Sequence, residues 1–142
     1  MHIYDQVKDR FDFDAYTGIG ITSDEESFVV ACVWNGITSN SGNIAQCMCD
    51  NYQHIDKIIR SLETVGMIRM AAGMKYHQRN IEELIRIDKD IYVEERKSSS
   101  EKLVQLYKLA QKIGGQVNGM DNENENEFDN LIEMYALKMK RS

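Results

Sequence analysis

The sequence predicts a single all-α domain of about seven short helices over residues 1–142, with a buried central helix near residues 24–35. Three observations indicate this fold class. The chain has 142 residues, which is a usual length for one domain. It has no proline, a residue that helix interiors exclude and that loops and strand edges usually collect. Apolar residues recur along it at the three- and four-residue spacing of amphipathic helices.

The N-terminal segment is expected to form a first helix at about residues 2–12, because its apolar residues recur at helical spacing. Gly18 and Gly20 follow, so we expect a loop from Asp12 to Ile21. Charged residues interrupt the apolar runs near the N-terminus, a pattern that is untypical of a secretory signal.

The predicted central helix is marked by its start and by its composition. Ser23 and Glu26 have the spacing of a capping box, so the helix is expected to begin at Asp24. It carries an apolar run at residues 28–34 that is apolar all round, which is typical of a buried helix. Because three of these residues are valines, a buried strand is the alternative.

Turn residues predict where the next helices lie. The stretch at 35–42 is rich in asparagine, serine and glycine and is expected to be a turn, after which Asn43 can cap a helix. A stripe at helical spacing then predicts a further helix that Gly66 ends. The stripe consists of Ile55, Ile58, Ile59, Leu62 and Val65.

A methionine stripe follows that glycine. Met67, Met70 and Met74 recur at helical spacing and are expected to pack in the core. The alternative is an adaptable binding surface, because methionine side chains are flexible and polarisable.

The C-terminal half is expected to contain three helices. One is expected to end near Lys89, before a polar link at residues 93–100. The next is expected to begin at a second capping box, Ser98 with Glu101, and to end at a glycine pair. That pair is Gly114 and Gly115. An acidic and asparagine-rich loop near 116–127 then precedes a final amphipathic helix at about 128–139.

The charge distribution limits the classes of partner. The net charge is −6, and the segments 1–50, 51–115 and 116–142 carry −6, +3 and −3. An acidic protein repels the phosphates of nucleic acid, so direct nucleic-acid binding is disfavoured. The acidic ends fit a basic partner better.

No pattern of catalytic, metal-binding or cofactor-binding residues is present in the sequence. The chain lacks a phosphate loop, a nucleophile elbow and a zinc-protease helix. The sequence has three cysteines, an odd number, and their spacing is not that of a zinc site: Cys32, Cys47 and Cys49. The simplest interpretation is that all three are free and largely buried thiols. The three histidines are far apart and are expected to be at the surface or partly buried. We therefore expect no enzymatic activity, no metal and no cofactor.

The expected compartment is the cytoplasm. Free thiols are typical of reducing compartments. The longest apolar run has seven residues, whereas a membrane span needs about 20.

A segment near the predicted central helix resembles a known family. An apolar helix with Trp34 near its end precedes a turn that contains Asn40 and Gly42, and Gln46 follows in the next helix. This arrangement resembles the signature of a bacterial domain family of unknown function whose characterised member is an acidic DNA-mimic protein. The resemblance covers about residues 25–75, and it implies a partner that is itself a DNA-binding protein.

Charge and resemblance together suggest a small non-enzymatic protein-interaction domain with an acidic binding face. The candidate partner-binding residues are Asp5, Asp9, Glu25, Glu26, Glu123 and Glu125. Three alternatives stay open: an immunity-type protein that neutralises a basic toxin, a structural homodimer, and a small enzyme whose site has no recognisable motif.

Overall fold

A computed structural model describes residues 10–12, 17–18, 20, 22–98, 100–120, 127–130, 133–134 and 137. In this part of the chain the architecture is all-α, as the sequence predicts. In the described residues between 22 and 120, six α-helices and one turn of 3₁₀-helix pack around one main apolar core, and a smaller cluster extends it. Within the described residues, no helix combines the length and the hydrophobicity that a membrane span needs.

Helix α1, Ser23–Ser41, lies at the centre of the core and confirms the predicted buried helix. Phe28 and Trp34 on this helix are completely buried, and α1 packs along α3, Ile55–Thr64. A run that is apolar all round can only be accommodated where neighbouring elements cover every face of the helix.

The ends of α1 differ from the prediction. The capping box is formed by Thr22 and Glu25, one residue before the predicted pair: the Glu25 amide donates to Thr22 Oγ1 at 3.1 Å, and the Thr22 amide donates to the Glu25 carboxylate at 2.9 Å. The helix also continues through Asn35 and Gly36, which were predicted to be a turn, and ends at Gly42 with a φ of 63°. Gly36 does not have a positive φ, so the helix continues through it, whereas the positive φ of Gly42 ends the helix.

The described part of the segment before α1 contains two short strands, the second of which lies inside the predicted loop at residues 12–21. Phe11–Asp12 (β1) pairs antiparallel with Thr17–Gly18 (β2), with Phe11 opposite Gly18. The predicted helix over 2–12 is therefore wrong at its last two residues, and residues 1–9 lie outside the described residues. Phe11 is buried, which ties β1 to the main core.

Two short helices and their caps follow the predictions. The Asn43 side chain accepts from the Gln46 amide at 3.0 Å and begins α2, Ile44–Asp50. A 3₁₀ turn at Tyr52–His54 leads into α3. All five residues of the predicted stripe in and after α3 are buried, and Gly66 follows with a φ of 92°.

Helix α4 spans Ile68–Tyr76. The three methionines of the stripe are completely buried, which confirms that they are core residues. The N-terminus of α4 is capped from a distance, because the Glu127 carboxylate accepts from the amides of Arg69 at 3.1 Å and Met70 at 2.7 Å.

Helices α5, Gln78–Lys97, and α6, Ser100–Asn118, are longer than predicted and fold back on each other. Helix α5 does not end near Lys89, because Ile91 packs with Ile87 and Ile113 in the smaller apolar cluster. Most of the predicted polar link is therefore helical.

The other two predicted boundaries of these helices are also wrong. Ser98 does not start α6 but ends α5, with a φ of 60°. Helix α6 continues through Gly114 and Gly115 to Asn118, so the glycine pair does not stop it.

The C-terminal segment is helical at 127–130, 133–134 and 137, in agreement with the predicted last helix. Phe128 packs against the main core. The predicted acidic loop near 116–127 is wrong at its first three residues, which belong to α6, and at Glu127, which is helical; residues 121–126 lie outside the described residues.

Candidate ligand-binding cleft

Helices α2, α5 and α6 enclose a cleft of about 580 Å³. Pockets that bind small ligands or side chains of a partner usually measure about 300–1,000 Å³. Helix α2 contacts both α5 and α6, so it closes one side of the cleft that these two long helices form. The cleft therefore forms where α2 packs against two consecutive helices that are distant from it in the sequence.

Helical periodicity brings the lining residues of each long helix to one face. On α5 these residues are Leu84, Ile85, Asp88 and Ile91, which are three or four positions apart. On α6 the lining residues are Tyr107, Ala110, Gln111, Gly114, Gly115 and Asn118, again at helical spacing. Each helix thus presents one continuous stripe to the cleft.

The end of α6 is joined to the start of α2 by a hydrogen bond. Asn118 Oδ1 accepts from the Ala45 amide at 2.9 Å. The Asn43 side chain satisfies the next free amide of the same helix end, that of Gln46. The hydrogen bond between Ala45 and Asn118 thus joins the N-terminus of α2 to the C-terminal end of α6 at this end of the cleft.

Two carboxylates and an apolar surface characterise the lining. Asp50 comes from α2 and Asp88 from α5, and both side chains are exposed to solvent in the free protein. No lysine, arginine or histidine is among the described residues that line the cleft. The apolar part of the lining includes Leu84, Ile85 and Ile91.

The Cys49 thiol reports on the electrostatics of the cleft. Its pKa is raised to about 11, first because burial disfavours the charged thiolate and then because the negative charges of Asp50 and Asp88 repel the charge of the thiolate. Both aspartates therefore act on one point in the cleft. Asp50 is held in place by Gln46, whose side-chain amide donates to Asp50 Oδ1 at 2.8 Å.

Tyr107 borders the same cleft from α6. Its hydroxyl donates to Glu95 Oε1 at 2.7 Å, which holds the ring against α5. This hydrogen bond is the main reason that the pKa of Tyr107 is raised, and Asp88 contributes to the same shift. The phenol therefore stays protonated and uncharged near neutral pH.

Gly114 and Gly115 are unusual because neither their conformation nor their packing requires glycine. Both are inside a helix and neither has a positive φ. A Cβ atom added at either position meets no atom of the described residues within 4 Å. Gly73 differs, since a Cβ atom there would collide with the Met120 side chain. A glycine inside a helix costs about 0.5–1 kcal/mol relative to alanine.

The candidate partner-binding residues predicted from the sequence do not line this cleft where they are described. Glu25 belongs to the capping box of α1. Glu26 accepts from the Gly18 amide at 2.9 Å and forms an ion pair of 2.6 Å with Lys57. Both side chains thus have structural partners. Asp5, Asp9, Glu123 and Glu125 lie outside the described residues.

Sequence reasoning missed Asp50 and Asp88 because they lie on different helices and form no motif. The glycine pair was the signal that could have indicated a site. Glycines within an otherwise regular helical pattern often have a packing or functional reason, and the stripe on α6 continues on both sides of this pair.

Other candidate chemistry is limited in the part of the chain that the structure describes. All three cysteines are free, and burial raises the pKa of Cys32 to about 12. Among the described residues there is no group of three metal-binding side chains. His54 and His77 are partly buried, as predicted, and His2 lies outside the described residues.

Comparisons with known proteins do not assign the chain to a family. No family model, no curated protein and no solved structure matches it. The chemistry of the cleft itself is therefore the basis for a functional conclusion. Carboxylates beside apolar side chains suit a ligand that combines a positive charge with an apolar part.

Proposed function

We propose that this protein is a non-enzymatic, cytoplasmic protein-interaction domain that binds a basic segment of a partner protein in the cleft between α2, α5 and α6. The observation that carries this proposal is the composition of the lining, in which Asp50 and Asp88 adjoin apolar residues and, among the described residues, no lysine, arginine or histidine takes part. A lysine or arginine side chain of the partner supplies the missing charge.

The two parts of the lining have different energetic roles. The aspartates are exposed in the free protein, so each ion pair contributes only about 0–1 kcal/mol before the partner covers it. Contact with Leu84, Ile85 and Ile91 supplies the hydrophobic part of the affinity. The carboxylates mainly determine which segments bind and how fast they associate.

A DNA-binding protein is the partner that the family resemblance suggests. The net charge of −6 supports this choice, because such partners have basic surfaces. A DNA mimic would use carboxylates in place of phosphates. The cleft would then receive a basic side chain that otherwise contacts the DNA backbone.

A selection experiment tests the proposal. The intact protein is used to select binders from a random-peptide display library at low salt, and selected peptides are titrated against the wild-type protein. We expect selected peptides to be rich in arginine, lysine and large apolar residues. We expect their affinity to fall when the salt concentration rises, because salt screens ion pairs.

Charge-neutralised variants locate the binding site. Asp50→Asn and Asp88→Asn remove one charge each and should weaken binding about tenfold together, on the scale of two charge-assisted contacts. Asp129→Asn is the matched control, because Asp129 is an exposed aspartate that does not line the cleft. Selected peptides without basic residues, or equal binding by the double variant, would contradict the proposal.

A further inference from the structure

In the part of the chain that the structure describes, neither the φ nor the packing at Gly114 and Gly115 requires glycine. They lie side by side on the face of α6 that lines the cleft, between Gln111 and Asn118. No atom of the described residues lies within 4 Å of a Cβ atom added at either position. Glycine in this position leaves the helix backbone uncovered on that side.

We infer that Gly114 and Gly115 form a contact surface where the basic partner segment packs directly against the backbone of α6. This inference rests on the proposed function and adds to it the part of the cleft that the partner occupies. Asp50 and Asp88 take the positive charge of the segment, and the glycine pair accommodates its main chain or an apolar side chain. Any side chain at these two positions would fill the space that the segment needs.

A peptide segment explains this arrangement better than a free small cation does. A small cation needs only the two carboxylates, which lie on α2 and α5. The uncovered backbone of α6 lies on a third helix and offers van der Waals contact over two adjacent residues. Close approach of two backbones is a common reason for glycine at an interface.

The test uses a peptide obtained from the selection described above. Gly114→Ala and Gly115→Ala are compared with the wild-type protein in thermal unfolding and in peptide titration. We expect both substitutions to raise the melting temperature, because alanine favours the helix and no neighbouring atom blocks the methyl group. We also expect both to weaken peptide binding, and the larger Gly115→Leu to weaken it about tenfold or more.

Gly36 provides a matched control. It is also inside a helix, has no positive φ, and leaves open space around an added Cβ atom, but it does not line the cleft. Gly36→Ala should raise the melting temperature without changing the affinity for the peptide. Comparison of Gly36→Ala with the Gly114 and Gly115 variants separates the effect of stabilising a helix from the effect of filling space in the cleft.

Four results would overturn the inference. The first is peptide binding that is unchanged in all Gly114 and Gly115 variants while the aspartate variants weaken it, which would leave the proposed function intact. The second is a lower melting temperature of the alanine variants, which would show that the glycines serve the fold. The third is equal competition by arginine amide alone, which would show that a small cation suffices. The fourth is a wild-type dimer in sedimentation that Gly115→Leu dissociates, which would make a second copy the occupant.

Discussion

Asp88 illustrates how one residue changes the character of a helix face. Its neighbours on the same stripe of α5 are Leu84, Ile85 and Ile91, which are apolar. An aspartate in such a stripe cannot join a dry core without a partner. The face of α5 at Asp88 is therefore open to solvent and lines the cleft.

The electrostatic coupling between Asp88 and Cys49 gives a prediction at the scale of single residues. The pKa of Cys49 is about 11, and Asp50 and Asp88 contribute to the increase. In Asp88→Asn and Asp50→Asn the pKa of Cys49 should fall, so that the thiolate forms at lower pH and reacts faster with iodoacetamide. Mass spectrometry of alkylation rates across an alkaline pH series measures this shift.

Cys32 is the internal control for that experiment. Its pKa of about 12 comes from burial alone, so the aspartate variants should not change its alkylation profile. A Cys49 profile that is unchanged in both variants would contradict the placement of the two carboxylates beside the same thiol.

At the scale of helices, local sequence patterns predicted the starts of elements better than their ends. Asn43 caps α2 as predicted, and the capping box of α1 is displaced by only one residue. A cap depends on neighbouring residues and is therefore readable in the sequence. The cap on α4 is different, because Glu127 reaches it from a distant part of the chain.

This distant cap yields a second prediction. Glu127→Ala leaves two amides at the N-terminus of α4 without their carboxylate partner and detaches the segment at 127–130 from that helix. The free energy of unfolding should fall by about 1–2 kcal/mol, as for the loss of other N-cap side chains. Chemical denaturation measures the change. Glu133→Ala, at an exposed position of the same segment, should have a much smaller effect, and equal losses in the two variants would contradict the capping role.

The ends of three helices were predicted too early for a common physical reason. Residues that favour turns occur inside α1 and α6, and polar residues dominate the end of α5. Packing overrides these local preferences. Thr38 in α1 and Val117 in α6 are buried beyond the predicted ends of these helices. In α5, Ile91 joins the smaller apolar cluster, and the buried Glu94 carboxylate pairs with Lys102 at 3.2 Å. The sequence alone does not contain these contacts in a readable form.

At the scale of the molecule, the fold class was predictable and the cleft was not. Helical periodicity and the apolar run at 28–34 were sufficient to predict an all-α domain around a central helix. The cleft depends on how α2 sits against α5 and α6, which are far from it in the sequence. No local sequence pattern distinguishes Asp50 and Asp88 from other surface aspartates.

The net charge of the molecule is therefore a weaker guide than the position of individual carboxylates. Of the acidic residues that composition singled out, Glu25 and Glu26 are used in a helix cap and an ion pair. Asp50 and Asp88 were not singled out, yet they border a cleft that the described basic residues do not line. A function based on charge depends on which carboxylates share one accessible surface.

The proposed function requires a basic peptide segment to bind between α2, α5 and α6. Chemical-shift mapping with isotope-labelled intact protein, titrated with a selected basic peptide, locates the binding surface. We predict that the largest backbone amide shifts fall on the residues that border the cleft, including Asp50, Asp88 and Gly115, and that they disappear in the Asp50→Asn, Asp88→Asn double variant. Shifts centred on another surface, with the residues of the cleft unchanged, would contradict the claim.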